Sequence, residues 1–152
     1  MIKDIFDLNH TIAKDLFLNC EYGYEVLKDI KTYTIELGKS LNKEEFLKKG
    51  ENIWIHKTAK VSELSTIISP CIIDSNAEIR PGAFIRGSAI VGKDCVIGNS
   101  SELKNVIIFD NAQIPHFNYV GDSIIGYHAH LGAGVITSNL KNDKSNIIIK
   151  DK

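Results

Sequence analysis

Aliphatic residues recur at every sixth position from Ile55 to Leu103, separated by mostly polar or small residues. A small residue stands two positions before each of them after the first. This double pattern is typical of a parallel β-helix built from hexapeptides, in which each strand points one aliphatic side chain into a narrow prism. We expect it to be left-handed, an exception to the usual right-handed crossover. The aliphatic positions are Ile55, Val61, Ile67, Ile73, Ile79, Ile85, Val91, Ile97 and Leu103.

The period becomes irregular after Leu103. Phe109 stands where one more aliphatic residue is due, and we place the loss of one residue just after it. Residues 137–146 are polar and aperiodic, and 147–149 resemble the start of another strand. We predict a β-helix over residues 51–152 whose C-terminal coils are missing. Its later aliphatic positions are Ile114, Val120, Ile125, Leu131 and Ile136, and we expect Ile136 to stack on Val120.

Residues 1–50 lack the six-residue period and are predicted to form a helical segment. Apolar residues at helical spacing indicate helices over 11–17 and 24–37, the second closed by Gly38 as its C-terminal cap. Asn42, three residues before a glutamate, indicates a capping box that opens a short helix through 46–50. We expect this segment to cover the first coil, because the open end of a β-helix is an unprotected sheet edge. The fold class is thus mainly β, a left-handed parallel β-helix with a small N-terminal α-helical cap.

Composition narrows the function classes. The 152 residues carry a net charge of −1, which gives no reason to expect a nucleic-acid partner or an anionic membrane surface. The sequence has neither a membrane-spanning apolar run nor the core of a signal peptide, so we expect a cytoplasmic protein. Cys71 and Cys95 occupy small positions of the repeat and are interpreted as packing residues, and Cys20 has no recognisable partner.

Five residues with useful chemistry point outward in or near the irregular region. Two of them flank Leu103, one stands a coil later, and two lie around a corner on the preceding face, where a neighbouring subunit could bring the groups together. A histidine can act as a general base, and arginine with lysine suits a phosphate group. The alternatives are that the histidine is a surface residue without a function, and that the carboxylate and lysine flanking Leu103 form only a solvated ion pair. The five are Glu102, Lys104, Tyr119, Arg80 and His116.

A metal site is the competing interpretation. Some hexapeptide β-helix proteins, such as the gamma-class carbonic anhydrases, bind zinc with histidines from adjacent subunits. Their close histidine pair is separated by four residues, whereas His128 and His130 are two apart and His116 lies twelve residues upstream. We therefore expect no metal in the β-helix.

Four motifs carry a family resemblance over residues 53–146. In order they are Arg80-Pro81-Gly82, Glu102-Leu103-Lys104-Asn105, His116-Phe117-Asn118-Tyr119-Val120-Gly121-Asp122 and Gly132-Ala133-Gly134-Val135-Ile136-Thr137-Ser138-Asn139. The chain resembles the acetyltransferase domain of the bifunctional N-acetylglucosamine-1-phosphate uridyltransferase/glucosamine-1-phosphate acetyltransferase, in the form of short bacterial pyrophosphorylase-related proteins. The resemblance implies a homotrimer that uses acetyl-CoA to acetylate the amine of an amino sugar phosphate such as glucosamine-1-phosphate.

The resemblance also implies roles for individual residues. His116 would be the general base, with Glu102 helping to orient it, and Arg80 and Lys104 would hold the phosphate. Tyr119 would contact the sugar, while Ala133 and Asn139 would border the acetyl-CoA site. Two positions depart from the family: His130 replaces an asparagine that contacts the sugar, and Lys144 is the nearest candidate for a displaced phosphate-binding lysine. We expect no counterpart of the family's preceding nucleotidyltransferase domain, because residues 1–50 are too short to form one. The alternative is a non-catalytic trimeric module that binds a sugar phosphate or nucleotide sugar.

Overall fold

The computed structural model describes residues 1–138, 141–145 and 148. Short parallel strands wind into a left-handed β-helix, and a largely helical N-terminal segment packs on its outside. The fold class predicted from the six-residue period is confirmed. Within the described residues, no helix is long and apolar enough to cross a membrane.

Three stacks of parallel strands form the faces of the prism. In chain order the strands are β1 (Phe46–Gly50), β2 (Ile53–His56), β3 (Lys60–Val61), β4 (Thr66–Ile67), β5 (Cys71–Ile73), β6 (Glu78–Ile79), β7 (Phe84–Ile85), β8 (Ala89–Val91), β9 (Val96–Asn99), β10 (Glu102–Ile108), β11 (Gln113–His116), β12 (Tyr119–Ile125) and β13 (Ile136–Thr137). The first face stacks β2, β5, β8 and the C-terminal halves of β10 and β12. The second stacks β3, β6, β9 and β11, and the third stacks β4, β7, the N-terminal halves of β10 and β12, and β13.

The aliphatic series fills the inside of the prism. On the first face Ile55 pairs with Ile73 and Ile73 with Val91, so one coil takes 18 residues there. Ile73 and Val91 are fully buried. Small residues such as Cys71 and Ala89 stack beside them in the same core, as the repeat predicts.

Later coils are one residue shorter, and the position of the loss differs from our expectation. Val91 pairs with Ile108 and Ile108 with Ile125, which is 17 residues per coil. The coil is shortened before Phe109, within β10. This strand runs from the third face onto the first and turns the corner at Asn105, whose φ is +55°. Ile108 therefore points inward, and Phe109 belongs to the outer cluster beside the N-terminal segment. Two adjacent apolar residues left the pattern ambiguous at this point.

The predicted stacking of Ile136 on Val120 is also wrong by one residue. Ile136 pairs with Tyr119 and is 67% exposed, while Thr137 takes the place opposite Val120. The hydroxyl of Thr137 accepts a hydrogen bond from the backbone N–H of Gly121 at 3.0 Å. A polar residue at an inward position is invisible to a search for aliphatic residues.

The N-terminal segment contains less α-helix than the sequence pattern predicts. Its helices are α1 (Ile2–Ile5) and α2 (Ile30–Ser40), and short 3₁₀ helices span Leu8–His10, Lys14–Phe17 and Gly23–Lys28. The predicted helix over 24–37 is thus a 3₁₀ helix followed by α2. Gly38 lies inside α2 rather than at a C-terminal cap. A glycine stands there because the ring of Trp54 occupies the space that a side chain would need.

The short helix predicted to open at Asn42 and run to Gly50 is wrong, because Phe46–Gly50 forms β1. It pairs antiparallel with β2, with Leu47 opposite Ile55 and Lys48 opposite Trp54. The strand supplies hydrogen-bond partners to the outer edge of the first coil, so a hairpin protects that edge.

The helices lie along the first face instead of over the end of the first coil. One outward apolar side chain per coil forms a row on this face, which we call the apolar ladder: Trp54, Ile72, Ile90 and Ile107. The ladder packs against Val26, Ile30 and other apolar residues of the N-terminal segment. The first face is therefore buried on both sides, while the second and third faces carry the outward polar residues.

Candidate functional site

A column of cations runs up the edge of the third face. Arg86 follows β7, and Lys104 lies one coil above it in β10. Arg86 donates a hydrogen bond from Nη1 to Oε1 of Glu102 at 2.8 Å, and this contact raises the pKa of the guanidinium. Sequence reasoning missed Arg86, although its place 18 residues before Lys104 is a signal that the coil length supplies. Glu102 is thus paired with Arg86.

Lys104 is held at the corner between the third and first faces. Its Nζ lies 3.2 Å from Oδ2 of Asp122, and Asn105 donates a hydrogen bond to Oδ1 of the same carboxylate at 2.9 Å. Lys104 also pairs in register with Gly121 of the next coil. A Cβ at Gly121 would lie 2.6 Å from the hydroxyl of Tyr119, so the absence of a side chain leaves room for that phenol beside the cation column.

Tyr119 and Glu102 are neighbours, as predicted. They pair in register between β12 and β10, and Tyr119 pairs with Ile136 on its other side. Both side chains are partly exposed. The third face therefore presents a phenol, a carboxylate and two cations together on adjacent coils.

Arg80 and His116 lie around the corner from this group, as the six-residue period predicts. Arg80 follows β6 on the second face, where its Nε donates to Oε1 of Glu78 at 2.9 Å. His116 ends β11 and is exposed. Among the described residues, no hydrogen bond or ion pair joins the ring of His116 to another side chain.

Asn118 fixes the backbone on which His116 stands. It is 3% exposed, and its Oδ1 accepts a hydrogen bond from the backbone N–H of His116 at 3.1 Å. Its Nδ2 donates to the carbonyl of Gly132 in the next coil at 2.7 Å. The sequence pattern placed Asn118 only in the small series. Its amide hydrogen-bonds the corner to the following coil. The sequence offered a signal for this role, because an asparagine is unusual among the alanines and serines of that series.

Phe117 has an unfavourable backbone conformation at the same corner. Its φ is +50°, in the left-handed region that costs a bulky L-residue energy, and its side chain is 61% exposed. The equivalent corner positions of the neighbouring coils are occupied by Gly82, Ser100 and Gly134. We call His116, Phe117 and Asn118 the His116 corner.

The remaining predicted site residues lie in the last coil or after it. His130 is exposed, bridges to Gln113 in the strand pattern, and has its Nδ1 3.3 Å from Oε1 of that residue. Ala133 is exposed between Gly132 and Gly134, and a Cβ at either glycine would meet no atom within 4 Å. Lys144 is exposed. Asn139 lies outside the described residues.

His128, one of the histidines considered for zinc, contacts an aromatic ring. His128 packs edge-on against Tyr127, with ring centroids 4.4 Å apart, and Tyr127 stacks on His10 at 3.6 Å. In the part of the chain that the structure describes, no three histidine, cysteine, aspartate or glutamate side chains are placed to hold a metal ion.

Comparison with known protein families places most of the β-helix in one of them. Residues 67–151 match the family described as the GMPPB C-terminal domain. The match begins in β4 and includes the cation column and the His116 corner.

Several curated relatives share the name bifunctional protein GlmU. One from Methanococcus maripaludis strain C5 is 47% identical over 72 residues, which is 47% of this chain and 18% of the relative. One from Methanococcus maripaludis strain S2 is 42% identical over 113 residues, or 62% of this chain and 28% of the relative. One from Thermodesulfovibrio yellowstonii is 42% identical over 87 residues, or 57% and 19%. The chain spans less than a third of the length of these relatives, which confirm the resemblance predicted from the motifs.

A solved structure shares the fold. The acetyltransferase domain of PglB from Neisseria gonorrhoeae FA1090 superposes with a TM-score of 0.53 at 22% sequence identity. The superposition covers 55% of this chain and 42% of that one. At this level of identity the likeness concerns the fold alone.

Proposed function

We propose that this chain, which belongs to the GMPPB C-terminal domain family, works as an acyltransferase of the hexapeptide class. It transfers an acetyl group from acetyl-CoA to the amine of an amino sugar phosphate such as glucosamine-1-phosphate. The observation that carries the proposal is the exposed imidazole of His116, without a side-chain partner among the described residues, on a corner braced by Asn118. The GlmU relatives support the same reaction class, and the PglB acetyltransferase domain supports the fold on which the site stands.

Each proposed role follows from the chemistry of the side chain. His116 takes a proton from the sugar nitrogen, either from the ammonium before attack, which frees the lone pair, or from the amine as its nitrogen attacks. Arg80 and Lys104 bind the phosphate, and Arg86 adds a third cation beside Lys104. Tyr119 and His130 contact the sugar, and Lys144 supplies a further cation. Glu102 holds Arg86 in place, and through the proposed assembly it faces the base of a neighbouring subunit.

Acetyl-CoA is the acyl donor in this proposal. Its thioester carbonyl accepts the amine nitrogen, a C–N bond replaces the C–S bond, and the coenzyme leaves as a thiol after gaining a proton. Ala133, with the open space above Gly132 and Gly134, borders its site, together with Asn139. No metal takes part in this reaction scheme.

A complete site requires a second subunit, and we propose a homotrimer. His116 and the cation column lie on different faces of one prism, so a cleft between subunits is the arrangement that joins them. Large apolar side chains are exposed on the third face and the adjoining corners, which supports an interface there. They are Leu64 (75%), Ile68 (44%), Phe117 (61%) and Ile136 (67%).

Acetylation of glucosamine-1-phosphate, followed by mass spectrometry of the product, tests the proposal. We expect His116→Ala to lower kcat by about 10²–10⁴-fold, the usual contribution of a general base. Lys104→Ala should mainly raise KM for the sugar phosphate. His56→Ala is the control, because His56 lies in the first coil and bonds only to Thr58 among side chains.

The outcomes separate the two function classes. Full activity of His116→Ala would contradict the assignment of the base. Binding of glucosamine-1-phosphate by the wild-type protein, with no product from acetyl-CoA, would instead support the non-catalytic sugar-phosphate module. Sedimentation of the same samples measures whether the protein is a trimer.

A further inference from the structure

A cavity lies between α2 and the β1–β2 hairpin, away from the His116 corner. Its volume is about 470 Å³, which is within the usual size range of small-molecule sites. Its lining is of two kinds, apolar and cationic. The apolar side chains are those of Leu41, Phe46, Leu47 and Trp54, and the cations are Lys39, Lys43 and Lys48.

Two closely packed elements, α2 and the β1–β2 hairpin, form this cavity. Gly38 allows α2 to lie directly on the ring of Trp54, which is the first member of the apolar ladder. Lys48 stands opposite Trp54 in the antiparallel pair, so their side chains lie on the same side of the hairpin. Trp54 is 6% exposed, and the apolar floor is therefore part of the packed core.

The charges around the cavity are all of one sign. No carboxylate lines it, and none of the three lysines forms an ion pair within residues 1–138. Three ammonium groups around an apolar floor attract an anion and would repel a cation of the same shape.

We propose that this cavity binds a small apolar anion, a ligand with an aromatic or short acyl body and one phosphate, sulfonate or carboxylate group. The body packs on Phe46 and Trp54, and the charged group faces the lysines. This binding is independent of the proposed acyl transfer, since none of the residues assigned to that reaction lines the cavity.

The protein carries its own reporter for this site. Trp54 is its single tryptophan, so a change in tryptophan emission reports directly on the cavity. Titration with 1-anilinonaphthalene-8-sulfonate should quench Trp54 by energy transfer to the bound probe. We expect a Lys39→Ala/Lys43→Ala/Lys48→Ala variant to bind the probe at least about ten-fold more weakly, equivalent to about 1.4 kcal/mol.

Two controls separate charge, shape and position. Lys49→Ala removes a cation from the same strand outside the cavity, and its affinity should equal that of the wild type, whereas Lys48→Ala alone should bind more weakly. The uncharged analogue N-phenyl-1-naphthylamine should bind the wild type and the triple variant equally, which also shows that the floor remains intact. Equal sulfonate affinity in the triple variant and the wild type, or binding without quenching of Trp54, would overturn the proposal.

Discussion

Gly38 shows how one missing side chain sets the distance between two elements. It lies inside α2, where alanine would normally be favoured over glycine by about 1 kcal/mol. A Cβ there would overlap the ring of Trp54, and overpacking of a core costs about 1–3 kcal/mol. We therefore predict that Gly38→Ala lowers the free energy of unfolding by about 1–3 kcal/mol in urea denaturation.

Two variants locate the cause of that loss. Lys31→Ala changes an exposed position of the same helix and should alter stability by less than about 0.5 kcal/mol. Trp54→Leu removes the overlapping ring, so Gly38→Ala should cost less in that background. An unchanged or increased stability of Gly38→Ala would show that α2 does not lie on Trp54.

Asp110 is a buried carboxylate whose surroundings set the sign of its contribution to the pH dependence of stability. Its carboxylate is 9% exposed and accepts a hydrogen bond from the backbone N–H of Lys93 at 2.9 Å. Burial raises its pKa above the ordinary value of 3.8, and the charge of Asp74 acts in the same direction. The folded protein thus binds this proton more tightly than the unfolded chain, and its contribution to stability grows as the pH falls through the raised pKa toward 3.8.

Asp110→Asn isolates this contribution, because the amide oxygen can keep the hydrogen bond without the charge. We predict that the variant is more stable than the wild type at neutral pH and that the difference shrinks as the pH falls toward 4. Urea unfolding at a series of pH values measures it. Asp94→Asn, an exposed carboxylate in the neighbouring coil, should change stability by less than about 0.5 kcal/mol. A difference that widens at low pH would contradict the assigned direction.

At the scale of elements, the apolar ladder joins the β-helix to the N-terminal segment. Ile90 points out of the prism, yet it is fully buried between its ladder neighbours and the helical segment. Truncation of a buried isoleucine costs about 2–5 kcal/mol, so Ile90→Ala should destabilise the protein by that amount. Val96→Ala is the matched control on the uncovered second face, where we expect a loss below about 1 kcal/mol. Chemical denaturation with both variants compares the two faces directly.

The sequence predicted the inside of the prism better than its outside. An aliphatic residue at each sixth position identifies the inward side chains, because the narrow prism admits little else. The ladder was not predicted, although Ile72 and Ile90 stand in continuous apolar runs, which are expected of a sheet buried on both faces. The strand at 46–50 could not be predicted from its local sequence, because its extended conformation depends on pairing with the edge of β2.

At the scale of the whole molecule, the sequence predicted where the residues of the candidate site lie but not which side chains bond to each other. The period placed Glu102 beside Tyr119 and put His116 around the corner, and the structure agrees on both placements. It could not show that Glu102 bonds to Arg86 or that Asn118 braces the corner, because these contacts depend on the exact coil length and side-chain reach. The roles assigned to these residues remain predictions.

The continuous ladder also bears on how the solenoid unfolds. Solenoids commonly unfold coil by coil, because each repeat contacts only its neighbours. Here the N-terminal segment packs along successive coils through Ile72, Ile90 and Ile107. Breaking one coil away would expose this shared surface, so we predict that the central coils open only in a single cooperative step.

Cysteine labelling measures this behaviour. Cys71 and Cys95 lie in different coils and are fully buried, and burial raises the pKa of both thiols to about 12. Since the thiolate is the reactive form, neither should react with iodoacetamide until its coil opens. In a Cys20→Ser background, which removes the partly exposed thiol, we predict equal labelling rates for Cys71 and Cys95 across a urea series. Ile90→Ala should accelerate both by the same factor, because it weakens the surface they share, whereas faster labelling of one cysteine would show that the coils open separately.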